Sequence, residues 1–308
     1  MHQGHAMSVI VVGVDFTPCS ASALRQAMRI AAWRRATVQA VHAIEPLVVM
    51  DLEQALSPLQ TDIRPGLIRD AGKTWKEFTA GIPGARGLEL AVEVDHPVSA
   101  LLRRVREQSA ELLVLGVHGT SPADRGAGTL AMACARKAMT SVLLVKEPHA
   151  GPFASIVACV DFSATSRRAL EAAVRFAVQD RAVLHVLHVF DAPWHRLHYR
   201  APTPQASPDY QKQYRDGLRR QLEAFCEPYQ DEMARLETRY AVFDFTGQSA
   251  GITEFTRQVA ADLVVLGTRG RTRLRDMLLG STAERVVREA PCSILTVKPE
   301  GFEHPLGR

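Results

Sequence analysis

The chain contains itself twice, and that constrains the fold more than any other feature. Ser8–Phe16 reads SVIVVGVDF and Ser155–Phe162 reads SIVACVDF, so Asp15 answers Asp161 at an offset of 146 residues. Val41-His42 answers Leu187-His188 at the same offset. Further on, ELLVLGVHG over 111–119 matches DLVVLGTRG over 262–270 at an offset of 151, and SVLLVK over 141–146 matches SILTVK over 293–298 at 152. The offset grows only between matched segments, as insertions in connecting loops require. Solenoid repeats run about 20–50 residues, so a unit this long has to be a complete domain. The length of 308 residues agrees, being close to twice a typical domain. The resulting division is a first domain over 8–146, a linker over 147–152 (EPHAGP), a second domain over 153–298 and a tail over 299–308.

Within each copy, short Val/Ile/Leu runs alternate with helical periodicity, the signature of an α/β fold. Ile156–Val160 reads as the first strand of the second copy. Ser163 follows as a candidate cap, and Leu170, Ala173, Val174 and Ala177 share one helical face. The first copy repeats this with Thr17 as cap, Pro18 at the first helical position, and Leu24, Ala27, Met28 and Ala31 on the apolar face. The runs 38–44 and 183–190 are nearly continuously apolar, as strands covered on both faces should be. Variable segments follow at 45–66 and 191–208. A helix from about Asp209 then carries Tyr210, Tyr214, Leu218, Leu222 and Phe225, whose helical spacing favours core over a base-stacking surface.

Composition narrows the function. A hydrophobic fraction of 46% and a charged fraction of 23% are globular averages. The net charge of +4 is spread along alternating acidic and basic residues, without the basic stripe that nucleic-acid binding wants. The five cysteines are far apart, form no Cys-x-x-Cys pair, and read as small buried hydrophobes in a reducing compartment. No apolar run approaches the ~20 residues of a membrane span, and the first seven residues lack a signal region, so a cytoplasmic protein is expected. His185 and His188 sit at odd spacing on one strand and face opposite ways. His195 and His198 find no completing ligand, and no metal site is expected.

The chemistry gathers in the second copy, where 267–281 reads GTRGRTRLRDMLLGS between a strand and a helix. Glycines at both turns let backbone approach a ligand, and the amides at a helix start attract anions. Ser281 to Glu284 also spells an S-x-x-E capping box, a turn-chemistry reading that explains Ser281 and leaves Gly267 and Gly270 unexplained. Asp161 has two readings, a ligand contact or a carboxylate at a helix start. Arg269, Arg271, Arg273 and Arg275 add positive charge that either meets phosphate or is solvated. In the first copy only eight residues separate Gly119 from Gly128, Thr129 replaces the serine, and Met132 replaces the capping carboxylate.

These features, with the VDFS start and the LHV of the second strand, resemble the nucleotide-binding branch of the universal stress protein family over nearly the whole chain. The resemblance implies two tandem doubly wound domains, each a five-stranded parallel sheet in the order 3-2-1-4-5 flanked by helices. It also implies domain pairing through the last strand, with a homodimer as a further possibility. The implied ligand is ATP or another adenine nucleotide, with Mg2+ or Mn2+ on the phosphates. Carried onto this chain, Asp161 and Val189 become adenosine-side contacts, and Leu266, Gly267, Arg269, Gly270, Gly280, Ser281 and Thr282 surround ribose and phosphates. A weaker second site would use Asp15, Gly116, Gly119, Gly128 and Thr129. Strand order 3-2-1-4-5 reverses between strands 1 and 4, where open sheets form ligand crevices, so Asp161 and Gly267 should face one another.

The function expected is therefore a stress-response regulator that binds nucleotide, has no catalytic residue and hydrolyses ATP slowly at most, acting on a protein partner the sequence does not identify. The alternatives are an interaction module that kept the fold and lost the ligand, and an adenine-nucleotide α-hydrolase enzyme. That group includes ATP pyrophosphatases and flavoprotein subunits; against the former, the first strand leads into DFS or DFT and not into a serine- and glycine-rich phosphate loop.

Overall fold

A computed structural model describes residues 8–56, 63–119, 127–192, 194, 208–270 and 279–302. The chain divides into two compact units after Gly151. In the first, strands β1 (Val9–Gly13), β2 (Thr37–Ile44), β3 (Leu90–Val94), β4 (Leu112–Gly116) and β5 (Ser141–Val145) pair in parallel in the order β3-β2-β1-β4-β5. Helices α1 (Pro18–Arg34), α2 (Pro46–Ala55), α3 (Arg64–Thr79), α4 (Pro97–Glu107) and α5 (Thr129–Lys137) connect them. The second unit repeats the order with β6 (Ser155–Cys159), β7 (Val183–Phe190), β8 (Thr238–Asp244), β9 (Leu263–Gly267) and β10 (Ser293–Val297), as β10-β9-β6-β7-β8. Its helices are α6 (Ala164–Asp180), α7 (Pro208–Cys226), the single turn α8 (Gln230–Met233), α9 (Gln248–Gln258) and α10 (Ser281–Glu289). Both are doubly wound α/β domains of the expected order.

The registers agree as well. Ile10 pairs with Val38 on one side and Leu112 on the other, while Ile156 pairs with Leu184 and Leu263. Central strands are apolar throughout because helices cover both faces: Ile10, Val11 and Val12 are fully buried, as are Ile156, Val157 and Ala158. Burying one such side chain stabilises by roughly 1.5–3 kcal/mol, so the docked stripes Ala23, Leu24, Ala27 and Ile30 of α1, and Leu170, Ala173 and Ala177 of α6, anchor their helices. Met28, expected on the α1 stripe, is only half-buried. All five cysteines are buried free thiols.

Both first helices start as their sequences dictate. Thr17 accepts from the Ser20 amide at 3.2 Å with Pro18 next in line, and Ser163 accepts from the Ser166 amide at 3.1 Å. Both end on an arginine in the left-handed conformation, Arg35 at φ 54° and Arg181 at φ 55°.

The variable segment 45–66, given no secondary structure in the sequence reading, contains helix α2 and the start of α3. Two expectations are corrected. The proposed aromatic stripe on α7 is buried only at its C-terminal end, at Leu222 and Phe225, whereas Tyr210 is 40% exposed. The first strand of the second copy stops at Cys159, so Asp161 lies two residues beyond it. His195, His198, Arg271, Arg273 and Arg275 lie outside the described residues. Among the described residues, no helix is long and apolar enough to cross a membrane.

Candidate functional site

The switch between β6 and β9 opens a cleft of about 250 Å³. Asp161, Val189, Leu266, Gly267, Arg269, Gly270, Gly280, Ser281 and Thr282, the nine residues singled out in the second copy, all line it. Between β1 and β4 lies its counterpart of about 340 Å³, lined by Asp15, Gly116, Gly119, Gly128 and Thr129. Sequence signals at four separate places in the second copy and three in the first thus converge on one crevice in each.

Two distant segments fix the carboxylate. Asp161 Oδ1 accepts from the Ser163 amide at 3.0 Å, so it braces the turn and leaves the helix cap to Ser163. Its other oxygen faces the glycine loop: a Cβ on Gly270 would lie 2.7 Å from Oδ2. Asp15 does the same, accepting from the Thr17 amide at 3.1 Å and lying 3.0 Å from a Cβ on Gly119. The glycine is needed because the carboxylate occupies the space a side chain would take.

Gly267 has a different reason. A Cβ there would meet Thr165 Cγ2 at 2.8 Å and Thr165 Cβ at 3.2 Å, so this glycine lets β9 approach the start of α6. Gly116 likewise clears Cys19, whose Sγ would lie 2.9 Å away. Packing therefore explains a glycine that turn chemistry leaves unexplained.

Gly280 is the opposite case. Its φ of −66° and ψ of 152° suit any residue, and among the described residues a Cβ would meet nothing nearer than the Thr268 carbonyl at 3.4 Å. The Gly280 amide donates to that carbonyl at 2.8 Å, which closes the loop. Gly280 is itself the N-cap of α10 and no side chain caps the helix, which removes the capping-box reading of Ser281. Ser281 is the exposed first helical residue, and Thr282 Oγ1 donates to Gln248 Oε1 at 3.4 Å. Helix α5 starts the same way from Gly128, without a side-chain cap. The first amides of both helices are the groups that attract an anion.

The walls are apolar. Leu266 is 3% and Val189 7% exposed, while Arg269 is half-buried with its guanidinium 4.8 Å from the Phe302 ring. Lys298, just past β10, is 3% exposed and lies 4.7 Å from the same ring. Burial pushes its ammonium down to about 7, and the Arg269 charge adds to the shift. In the first copy His118 stands where Arg269 stands; burial, and then the charge of Lys146, lower its pKa and favour the neutral ring.

The sequence reading missed an aromatic cluster packed against a cleft-lining histidine, His42 or His188, in each copy. Phe16 and Phe162, the residues after the two carboxylates, adopt φ of 61° and 65°, a region bulky residues avoid. Each ring lies against a histidine, Phe16 on His42 at 4.7 Å and Phe162 on His188 at 4.5 Å, and meets a second phenylalanine edge-on, Phe78 or Phe225, at 5.6 Å. Both histidines donate from Nδ1 to the carbonyl before the carboxylate, Val14 or Val160, at 2.8 Å. A carbonyl only accepts, so the proton sits on that nitrogen. The one signal available was the recurrence of the Phe and the His at equal offset in both copies. Sequence reading also missed Thr268, fully buried in the wall with a hydroxyl that lacks a partner among the described residues, where the first copy has Val117.

Comparison with known proteins places this architecture. The sequence model of the universal stress protein family matches residues 7–146 and again 152–298. A universal stress protein of Mycobacterium tuberculosis is 27% identical over 315 aligned positions, covering 97% of this chain and 99% of that one. One from Methanocaldococcus jannaschii is 53% identical over a stretch of 47 residues, 15% of this chain and 28% of its own length. Among solved structures, a protein from Pseudomonas aeruginosa described as a putative universal stress protein superposes with a TM-score of 0.62 at 17% identity, over 96% of this chain and 94% of that one. At that identity the agreement is one of fold.

Proposed function

Since the chain belongs to the universal stress protein family, we propose that it is a stress-response protein that binds ATP or a related adenine nucleotide in the cleft of its second copy. Gly280 carries the reading. Its backbone angles and surroundings accept a side chain, so its bareness serves something other than the fold: it leaves the uncapped start of α10 open to a phosphate.

The remaining roles follow from position. Val189 and Leu266 offer apolar wall to a base, and Asp161 Oδ2, which has no hydrogen-bond partner among the described residues, accepts from sugar hydroxyls. Gly270, Ser281, Thr282 and Arg269 surround the phosphates, with the Arg269 guanidinium supplying charge. Magnesium or manganese would ride on the phosphates; among the described residues no three His, Cys, Asp or Glu side chains gather to hold a metal. Turnover is slow in this reading, because Asp161 Oδ1 is engaged by the Ser163 amide and holds the turn in place of activating water.

Isothermal titration calorimetry with ATP on the intact chain and on Gly280→Val tests the assignment. The expected result is at least about a tenfold loss of affinity, roughly 1.4 kcal/mol. Equal affinity in the two chains rejects the site.

A second reading has its own observation. Helix α2 buries Val49 while Leu47, Val48 and Met50 are 67%, 48% and 59% exposed, which favours an interaction module docking a partner there. A chain purified without nucleotide and showing no thermal shift with ATP and magnesium would favour that reading over the first.

A further inference from the structure

The two clefts share an adenosine-sized half and differ in the half that would meet phosphate. In both, a braced carboxylate faces a glycine, Asp15 against Gly119 and Asp161 against Gly270, beside the apolar end of a second strand. Opposite that, Arg269 is replaced by His118 and Gln248 by Pro97, and Glu45 joins the lining of the first cleft. The described lining of the first cleft therefore holds two carboxylates and neither lysine nor arginine, against one carboxylate and one arginine in the second. The first cleft is also larger, about 340 against 250 Å³.

We infer that the first cleft is a separate site for an uncharged nucleoside, while the second takes the phosphorylated ligand. This deepens the nucleotide reading and rests on it for the contrast. A flat base between apolar walls and a sugar diol on a carboxylate need no cation. A triphosphate does, and the described lining of the first cleft offers it Glu45 and Asp15 but no lysine or arginine. The His118 ring does not make up for the lost arginine, because burial and the neighbouring Lys146 favour its neutral form. Lys146 does not line the first cleft; it lines an adjoining recess of about 160 Å³ that shares His118 and Gly119 with it. The bare start of α5 remains, and a polar neutral group satisfies its amides as well as an anion does.

The test uses the full chain with one cleft blocked at a time, titrated with adenosine and with ATP. With Gly280→Val and Asp161→Ala together closing the second cleft, adenosine should bind at least about tenfold more tightly than ATP, and adding Asp15→Ala should abolish the adenosine signal. Adding His118→Arg instead leaves Asp15 in place and should raise ATP affinity by about tenfold. ATP binding as tight as adenosine binding in the chain carrying Gly280→Val and Asp161→Ala, no binding of either, or an unchanged ATP affinity on adding His118→Arg overturns the inference. ATP binding by the chain carrying Asp15→Ala alone reports separately on the second cleft, so failure there rejects the nucleotide reading without touching the adenosine result.

Discussion

The turn after β1 and the turn after β6 agree within a few tenths of an ångström, yet the walls facing them have diverged. The agreement covers the braced aspartate, the phenylalanine at positive φ, the histidine tilted against it and the serine or threonine cap. The divergence covers His118 against Arg269, Val117 against Thr268, Pro97 against Gln248, and half-buried Lys146 against buried Lys298. Residues that shape the backbone are thus kept in pairs, while those that would meet a ligand's charged end differ. Holding a phenylalanine in the left-handed region costs roughly 1–2 kcal/mol, offset here by the aromatic contacts.

The sharpest way to break the comparison is Lys298→Met. The folded value of about 7 lies below the usual lysine value of 10.5, so unfolding takes up a proton between those limits and stability rises with pH across the window. The slope reaches about 1.4 kcal/mol per pH unit, a few kcal/mol in all. Urea denaturation of the wild type at pH 7 and pH 9.5 should show that rise, and Lys298→Met should flatten it. An unchanged pH dependence would show that Lys298 is as solvated as its counterpart Lys146.

Gly267→Ala and Gly116→Ala should each destabilise by about 1–3 kcal/mol, because a methyl meets Thr165 in one copy and Cys19 in the other. The comparison predicts similar losses by chemical denaturation; a neutral result for either would mean that its glycine is not there for packing. Thr268→Val is expected to stabilise by about 1 kcal/mol, since it removes a buried hydroxyl without a partner among the described residues and gives the side chain that the first copy already has. A loss of stability measured the same way would reveal a partner for that hydroxyl.

The candidate crevice was legible because its components are local. Asp161, the Gly267–Gly270 turn and the Gly280–Ser281 helix start each announce themselves within a few residues, and strand order 3-2-1-4-5 brings them together. The purpose of each component was not legible. Ser281 carries a capping-box sequence, yet Gly280 is the cap; Gly267 sits in a ligand-like pattern, yet it clears Thr165. The Phe162 cluster joins residues 162, 188 and 225; the first two recur at equal offset in the first copy, but nothing in the chain says that they meet Phe225.

By itself the sequence determined the duplication, the alternation of strand and helix, the caps at Thr17 and Ser163, and the place of the crevice. Periodicity and turn chemistry act between neighbours, so they can be read along the chain. Tertiary structure alone decided, among the described residues, which glycine yields to a side chain and which to open space, which carboxylate oxygen lacks a partner, and why a lysine beside Phe302 is poised near neutrality. Those outcomes depend on close packing and low local dielectric between atoms far apart in sequence, and neither exists until the sheet has formed.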